Sequence, residues 1–150
     1  MVIAALAAAA AGPDPHRFLA VDRAHRTVTM TLVASYDGAN NGFNFDGYGR
    51  GELLLSVPLG WRVRIRCENR GPLLHSCAVV PGPRTVTPAF RGAKTGELQA
   101  GRSAAFSFVA SRKGTYRLAC LVPGHEEARM WDVLDVGKTS RVEISARAGP

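Results

Sequence analysis

The sequence predicts an all-β protein, a sandwich of two sheets with about eight strands. The chain has 16 Gly and 9 Pro spread along its length, which is typical of many short strands joined by turns. Several segments alternate apolar and polar residues with a period of two, and no heptad pattern, internal repeat or convincing amphipathic helix occurs. A length of 150 residues suits one packed core. We therefore expect one domain over residues 15–150, preceded by an apolar stub over residues 1–14.

Eight segments have the pattern of a strand. The last of them is an extension near the C-terminus, and the sequence does not decide whether it forms an extra edge strand. In the third segment, Val63, Ile65 and Cys67 should face the core, and the alternating arginines between them should face solvent. Residues 37–51, called here the turn segment, read DGANNGFNFDGYGRG and are rich in residues that tolerate positive φ. Residues 81–102 are expected to be a long irregular connection. The predicted strands are residues 27–36, 51–58, 61–69, 75–80, 104–111, 115–120, 131–136 and 141–147.

The N-terminal stub begins MVIAALAAAAAG and is shorter than the roughly 20 residues that cross a bilayer. It also lacks the basic region that opens a secretion signal. Two interpretations stay open: the end of a signal peptide or membrane anchor, or a stub with no targeting role.

The formal net charge is +7 and comes mainly from scattered arginines. Because the basic residues form no run of five or more, a nucleic-acid-binding arm is not indicated. Such a surplus would favour an acidic partner protein or an anionic membrane surface. The row Arg62, Arg64 and Arg66 is most simply the solvated face of a strand.

Three cysteines, Cys67, Cys77 and Cys120, cannot all pair within one chain. Cys67 and Cys77 are both expected to point inward. They are either two separate core thiols or a disulfide that an oxidising compartment would allow. Both alternatives remain open from the sequence.

The segment from residue 120 to residue 130, called here the ligand loop, contains Cys120, His125 and Met130, each separated by four residues. Copper that cycles between two oxidation states is well served by a thiolate, imidazoles and a weak axial thioether. His75, just after a Gly-Pro turn, is the candidate for the second imidazole. The other two histidines lie in polar segments near the N-terminus and are expected to face solvent; they are His16 and His25.

These residues resemble the cupredoxins, and within them the sulfocyanins, blue copper proteins of respiratory chains. The resemblance runs from NGFNFDGYGRGELLLSVPLGW through the PLLHS segment of His75 to YRLACLVPGHEEARMW. It implies a cupredoxin-like Greek-key sandwich that holds one type 1 copper ion through His75, Cys120, His125 and Met130. It further implies a one-electron carrier outside the cytoplasm, in the periplasm or at the cell surface, either free or tethered to the membrane.

The resemblance also implies where partners dock. In the family the loop histidine lies nearest the surface within an apolar patch, so a cytochrome, oxidase or reductase would dock near His125. The residues expected to form this docking patch are Pro72, Leu73, Leu74, Leu121, Val122 and Pro123. Glu126 and Glu127 are expected to be solvent-facing charges beside it. Ser76 stands where the wider family commonly has Asn, and its hydroxyl can still bond a backbone group across the loops.

Other classes of function would require features that differ from those of an electron carrier. An extracytoplasmic copper chaperone or reservoir would hold cuprous ion and stay colourless. Copper oxidase or nitrite reductase chemistry would need paired His-x-His motifs, which the sequence lacks. Structural zinc prefers four Cys or His donors, so Met130 would be a poor fourth ligand. A metal-free adhesion sandwich is a further class. The sequence favours a carrier that is not an enzyme.

Overall fold

The computed structural model describes residues 12–147, which fold into nine strands and two short 3₁₀ turns. The 3₁₀ turns span Pro15–Phe18 and Ala39–Gly42. The strands are β1 (Leu19–Asp22), β2 (Thr27–Ala34), β3 (Leu53–Val57), β4 (Arg62–Asn69), β5 (Ala78–Val80), β6 (Ser103–Val109), β7 (Gly114–Ala119), β8 (Trp131–Val136) and β9 (Glu143–Ala146).

The strands form two sheets, one in the order β1-β2-β4-β6 and the other in the order β5-β7-β8-β3-β9. From β2 to β7 the chain changes sheet at every connection, so β2 pairs with β4 and β3 pairs with β8, both in parallel. This arrangement leaves one apolar face on each sheet, and the two faces bury each other. The predicted all-β sandwich is confirmed.

Strand β4 shows how the period-two pattern places the core. Val63, Ile65 and Cys67 are fully buried, while the three arginines between and beside them are exposed. Burying each branched aliphatic side chain contributes roughly 1.5–3 kcal/mol. The inward and outward sides of this strand are those that the sequence predicted.

Two strands differ from the predictions. Strand β1 was not predicted. Only Leu19 of its four residues is partly buried, so the segment shows no clear alternation of apolar and polar residues. It forms by antiparallel pairing along β2. The strand predicted over residues 75–80 begins only at Ala78. His75 instead exchanges backbone hydrogen bonds with Leu98, at 3.2 and 2.7 Å, so part of the irregular connection pairs with this segment.

The C-terminal segment forms an edge strand, since β9 pairs antiparallel with β3. Most of the predicted apolar stub, residues 1–11, lies outside the described residues. Among residues 12–147 no helix combines the length and the apolar character that crossing a membrane requires.

Candidate metal centre

Three neighbouring strands of the second sheet bring the predicted ligands together. Pairing of Ala78 with Ala119 places the His75 segment beside the end of β7, where Cys120 follows. Pairing of Ala119 with Trp131 places Met130, which precedes β8, beside Cys120 as well. Residues 45 positions apart in the chain thus meet at one end of the sheet.

The donor atoms of His75, Cys120 and His125 all lie within 4.8 Å of one another. The Sγ atom of Cys120 is 3.3 Å from Nδ1 of His125 and 3.9 Å from Nδ1 of His75. The centroids of the two imidazole rings are 4.9 Å apart. All three side chains are buried, and His125 is the most accessible of them at 8% exposure. The structure therefore brings one thiol and two imidazole nitrogens to a single point.

Met130 lies next to this cluster through its backbone. Its N–H donates to the carbonyl of His125 at 3.0 Å, and its carbonyl accepts from the N–H of Cys120 at 3.2 Å. The side chain is fully buried in the core. Gly124, at φ +87°, allows the tight turn that returns the chain from Cys120 to Met130.

Ser76 ties the two ligand-bearing segments together. Its backbone N–H donates to Sγ of Cys120 at 3.4 Å, and its hydroxyl oxygen accepts from the N–H of Leu121 at 2.9 Å. A hydrogen bond to sulfur stabilises the thiolate, and the bond to Leu121 holds the start of the ligand loop. The cross-loop hydroxyl bond expected from the sequence is present.

Burial sets the protonation of the three donors. It lowers the pKa of His75 to about 4, with a smaller contribution from the nearby His125 imidazole. Burial also lowers the pKa of His125, against the opposing charge of Glu97. Both rings are therefore neutral at pH 7, with a nitrogen lone pair free to coordinate. Burial raises the pKa of the Cys120 thiol, so a metal ion must displace its proton on binding.

A family model for the sulfocyanin (SoxE) domain matches residues 15–144. The chain belongs to the sulfocyanin family. The sulfocyanin of Sulfolobus acidocaldarius is 28% identical over 126 residues, an alignment that covers 73% of this chain and 63% of that protein. The chain thus spans a little under two thirds of that relative's length. The family resemblance drawn from the sequence is confirmed.

Solved structures show the fold more broadly. An auracyanin from Roseiflexus castenholzii has a TM-score of 0.55 at 23% identity, covering 72% of this chain and 95% of that one. A copper nitrite reductase from Nitrosomonas europaea has a TM-score of 0.56 at 24% identity, covering 73% of this chain and 41% of that one. At such identities the likeness shows the fold alone, and it confirms the predicted cupredoxin-like sandwich.

The donor set of this sulfocyanin-family chain fits the predicted cofactor, one type 1 copper ion. A buried thiol and two neutral imidazoles offer the soft and borderline ligands that copper accepts in both oxidation states. His16 and His25 lie away from the cluster, with 70% and 79% of their side chains exposed, as the sequence predicted.

The two remaining cysteines form a disulfide, which settles the alternatives that the sequence left open. Cys67 of β4 is bonded to Cys77, with their Cα atoms 5.8 Å apart. Cys77 lies two residues after His75, so the disulfide anchors the His75 segment to the opposite sheet. Both sulfur atoms are fully buried, as expected from their inward direction.

Glu126 differs from its expected solvent-facing role, whereas Glu127 is exposed as predicted. The Glu126 carboxylate accepts from the Arg117 guanidinium at 2.8 Å and from the backbone N–H of Arg84 at 2.9 Å. The same guanidinium lies 3.8 Å over the ring of Trp131. Arg117 therefore links the middle of the ligand loop to the first residue of β8. Arg117 and Glu126 are nine residues apart, and no sequence pattern at that spacing indicates an ion pair between a strand and the loop that follows it.

Sequence reasoning also missed two residues of the turn segment that reach the site. The ring of Phe43 meets both imidazoles edge-on, and the side chain of Asn40 donates to the ligand loop. The density of Asn and Gly signalled a turn, yet it did not indicate which end of the sandwich the turn would cover.

The expected docking patch is largely accessible. Leu73 and Leu74 are 52% and 41% exposed, Pro72 and Pro123 are exposed, and Leu121 and Val122 are half-buried. Exposed leucines side by side are unusual on a soluble surface and commonly mark an interaction site.

Proposed function

We propose that this chain is a type 1 copper protein that carries single electrons, and that Cys120, His75, His125 and Met130 would hold the copper ion. The observation that supports this most is the convergence of one thiol and two imidazoles within 4.8 Å in a buried pocket. When bound, copper supplies a one-electron couple between its cuprous and cupric states.

The protein's own residues would keep that couple fast and reversible. Ser76 holds Cys120 and Leu121, and the strand pairing of β5, β7 and β8 holds the segments that carry the donors. Donors fixed in this way need little rearrangement when the charge on the metal changes. The burial of His75 and His125 excludes water from the coordinating nitrogens.

The carrier role, in place of an enzymatic one, is part of the proposal. Among residues 12–147 the His75, Cys120 and His125 group is the one cluster of this kind. The cupredoxin-like fold also occurs in a copper nitrite reductase, so the fold alone leaves the choice open. The match to the sulfocyanin family model over residues 15–144 supports the carrier role.

Redox partners would dock at the docking patch, where the chain around His125 reaches the surface. We also propose an extracytoplasmic location, in which the apolar residues 1–14 serve for export or membrane attachment. The Cys67 to Cys77 disulfide supports this location, because such bonds persist in oxidising compartments.

The test is a visible absorption and electron paramagnetic resonance spectrum of copper-loaded protein, with Cys120→Ser and His125→Ala beside it. The native protein should show the intense blue absorption and narrow copper hyperfine splitting of a thiolate site. Both variants should lose the blue colour, because each removes a proposed copper ligand. His25→Ala is the matched control, since that ring is exposed, and it should stay blue.

Two outcomes would contradict the proposal. Unchanged colour in Cys120→Ser would exclude the thiolate as a ligand. A native protein that binds only cuprous ion and stays colourless would instead indicate the copper chaperone or reservoir.

A further inference from the structure

The turn segment, residues 37–51, lies against the ligand loop, although the electron-carrier role does not by itself require it. Asn40 makes the first connection. Its Nδ2 donates to the carbonyl of Phe43 at 2.7 Å and to the carbonyl of Ala128, in the ligand loop, at 2.8 Å. One side chain thus joins two segments 88 residues apart in sequence.

Backbone hydrogen bonds continue this contact along the end of the ligand loop and into β8. The N–H of Arg50 donates to the carbonyl of Arg129 at 3.0 Å, and the N–H of Gly51 donates to the carbonyl of Trp131 at 2.9 Å. A Cβ atom at Gly49 would lie 3.0 Å from the Arg129 carbonyl oxygen. The glycine therefore permits the close approach of the two backbones.

The aromatic ring of Phe43 is the part of the turn segment that reaches the imidazoles. Its centroid is 5.0 Å from that of His125 at an interplanar angle of 77°, and 6.5 Å from that of His75 at 79°. Edge-to-face packing at this distance is attractive and directional, contributing about 0.5–1.5 kcal/mol. A ring in this place resists rotation of the His125 imidazole.

Phe43 also lines a cavity that reaches His75. A cavity of about 70 Å³ is lined by Phe43, Pro72, Leu73 and His75, and its wall is completed by Ser35, Asn41 and Gly42. His75 is 2% exposed although this cavity reaches it. Removing the ring would enlarge the cavity towards both imidazoles and admit water.

We propose that Phe43 is a positioning residue of the copper site, which fixes the His125 ring and keeps water from both imidazoles, and that Asn40 holds Phe43 against the ligand loop. The inference deepens the proposed function and depends on it for its redox consequence. Water near the ligands stabilises the more highly charged cupric state, so a dry site favours the cuprous state.

The first test compares Phe43→Leu with Phe45→Leu. Phe45 is a fully buried core residue of the same turn segment. Within the described residues, the aromatic ring that packs on His75 and His125 is that of Phe43 and not that of Phe45. Phe43→Leu should shift the reduction equilibrium about tenfold towards the cupric form, a fall of about 59 mV for one electron. Phe45→Leu should lower the unfolding midpoint and leave the reduction potential within the error of the native value.

The second test compares Asn40→Ala with Asn41→Ala. Both asparagines have left-handed backbones, with φ of 49° and 56°, so both variants carry a similar backbone cost. Only Asn40 holds the ligand loop; Asn41 is exposed. The readout is the nuclear magnetic resonance spectrum of the His125 ring in copper-free protein. Asn40→Ala and Phe43→Leu should broaden or double its signals, and Asn41→Ala should leave one sharp set.

Equal potential shifts in Phe43→Leu and Phe45→Leu, or no shift in either, would overturn the inference. So would identical ring spectra in the two asparagine variants. A native protein without blue copper would overturn the proposed function alone, because the copper-free spectra still decide whether Phe43 and Asn40 position the ring.

Discussion

Asp46, in the turn segment three residues after Phe43, is a fully buried carboxyl group. Its Oδ1 accepts from the N–H of Val33 at 2.8 Å, and its own N–H donates to the Val33 carbonyl at 3.0 Å. Burial raises the pKa of Asp46 to about 8. The hydrogen bond from Val33 and the charge of Arg70 act to lower this pKa, and the charge of Glu68 acts to raise it. The folded protein therefore prefers this carboxyl in its protonated, neutral form.

The raised pKa predicts that the fold loses stability as pH rises. Between pH 3.8, the unfolded value, and about 8, the folded value, Asp46 is ionised only in the unfolded chain. Its contribution is fully present below pH 3.8 and falls by about 1.4 kcal/mol per pH unit until the folded carboxyl also ionises. Asp46→Asn should lessen this slope and be more stable than the native protein at pH 8.

Urea unfolding of both proteins at several pH values measures this difference. Asn suits the position, since the backbone φ is 57° and its side-chain oxygen can still accept from Val33. Parallel pH profiles for the two proteins would show that the ionisation of Asp46 does not govern stability.

At the scale of the elements, the His75 segment depends on neighbours that surround it. Disulfide Cys67 to Cys77 anchors it to β4, backbone bonds to Leu98 and Thr95 flank it, and β5 continues into the second sheet. Asn69, at the end of β4, donates to the carbonyls of Leu73 and Leu98 at 2.8 and 2.7 Å. The upstream imidazole is therefore held by two sheets and a loop together.

Removing the disulfide should destabilise the fold by about 2–3 kcal/mol, the chain-entropy value for a loop with a sequence separation of 10. The double variant Cys67→Ala, Cys77→Ala serves better than chemical reduction, because the same variant can also be loaded with copper, whereas a reductant would reduce bound cupric ion. The measurement is the guanidinium unfolding midpoint of the copper-free protein.

Removing the disulfide should also lower the affinity for copper by a similar free energy, since the freed His75 segment must become ordered on binding. Val79→Ala, a buried truncation in β5, is the control for loss of packing without loss of the crosslink. An unfolding free energy within error of the native value would contradict the anchoring role of the disulfide.

The period-two pattern predicted the elements best where one face is buried and the other exposed. Strand β4 is the clearest example, with arginines alternating against Val63 and Ile65. Strand β5 is buried on both faces, so alternation carries no information about where it begins. Strand β1 is mostly exposed and exists because β2 offers a free edge for pairing.

At the scale of the whole molecule, the docking patch lies on a protein of net charge +7. The charge promotes encounter with acidic partners over long range, and the exposed leucines provide close contact. Both features act on association, and neither alters the metal donors.

We expect Leu74→Lys to slow electron self-exchange between oxidised and reduced copies about tenfold, since Leu74 is 41% exposed. The change removes apolar contact from each copy and adds repulsion between them, and about 1.4 kcal/mol corresponds to that factor. Magnetic resonance line broadening in mixtures of the two oxidation states measures the rate. The blue spectrum should not change.

Val21→Lys is the matched control, because Val21 is 41% exposed and lies on edge strand β1. This variant adds the same charge outside the docking patch. It should slow self-exchange less than the patch variant, and salt should abolish this slowing because it screens the repulsion between copies. Equal slowing by both variants at high salt would show that the patch has no special part in electron exchange.

The part of the candidate metal site that depends on residues close together in sequence could be predicted. Cys120, His125 and Met130 occur in one loop, and His75 is the remaining histidine outside the polar N-terminal region. The structure brings His75, Cys120 and His125 together as this reasoning required. Phe43, Asn40 and the brace from Arg117 to Glu126 could not be predicted, because each depends on how distant segments pack.

The sequence by itself determined the fold class, the family and the residue types that can hold copper, since these depend on periodicity and on donors close together in the chain. Tertiary structure alone decided the disulfide, the burial that keeps both imidazoles neutral, and the contact of the turn segment with the ligand loop. Those features depend on distances between residues that are remote in sequence, and only the packing of the two sheets sets such distances.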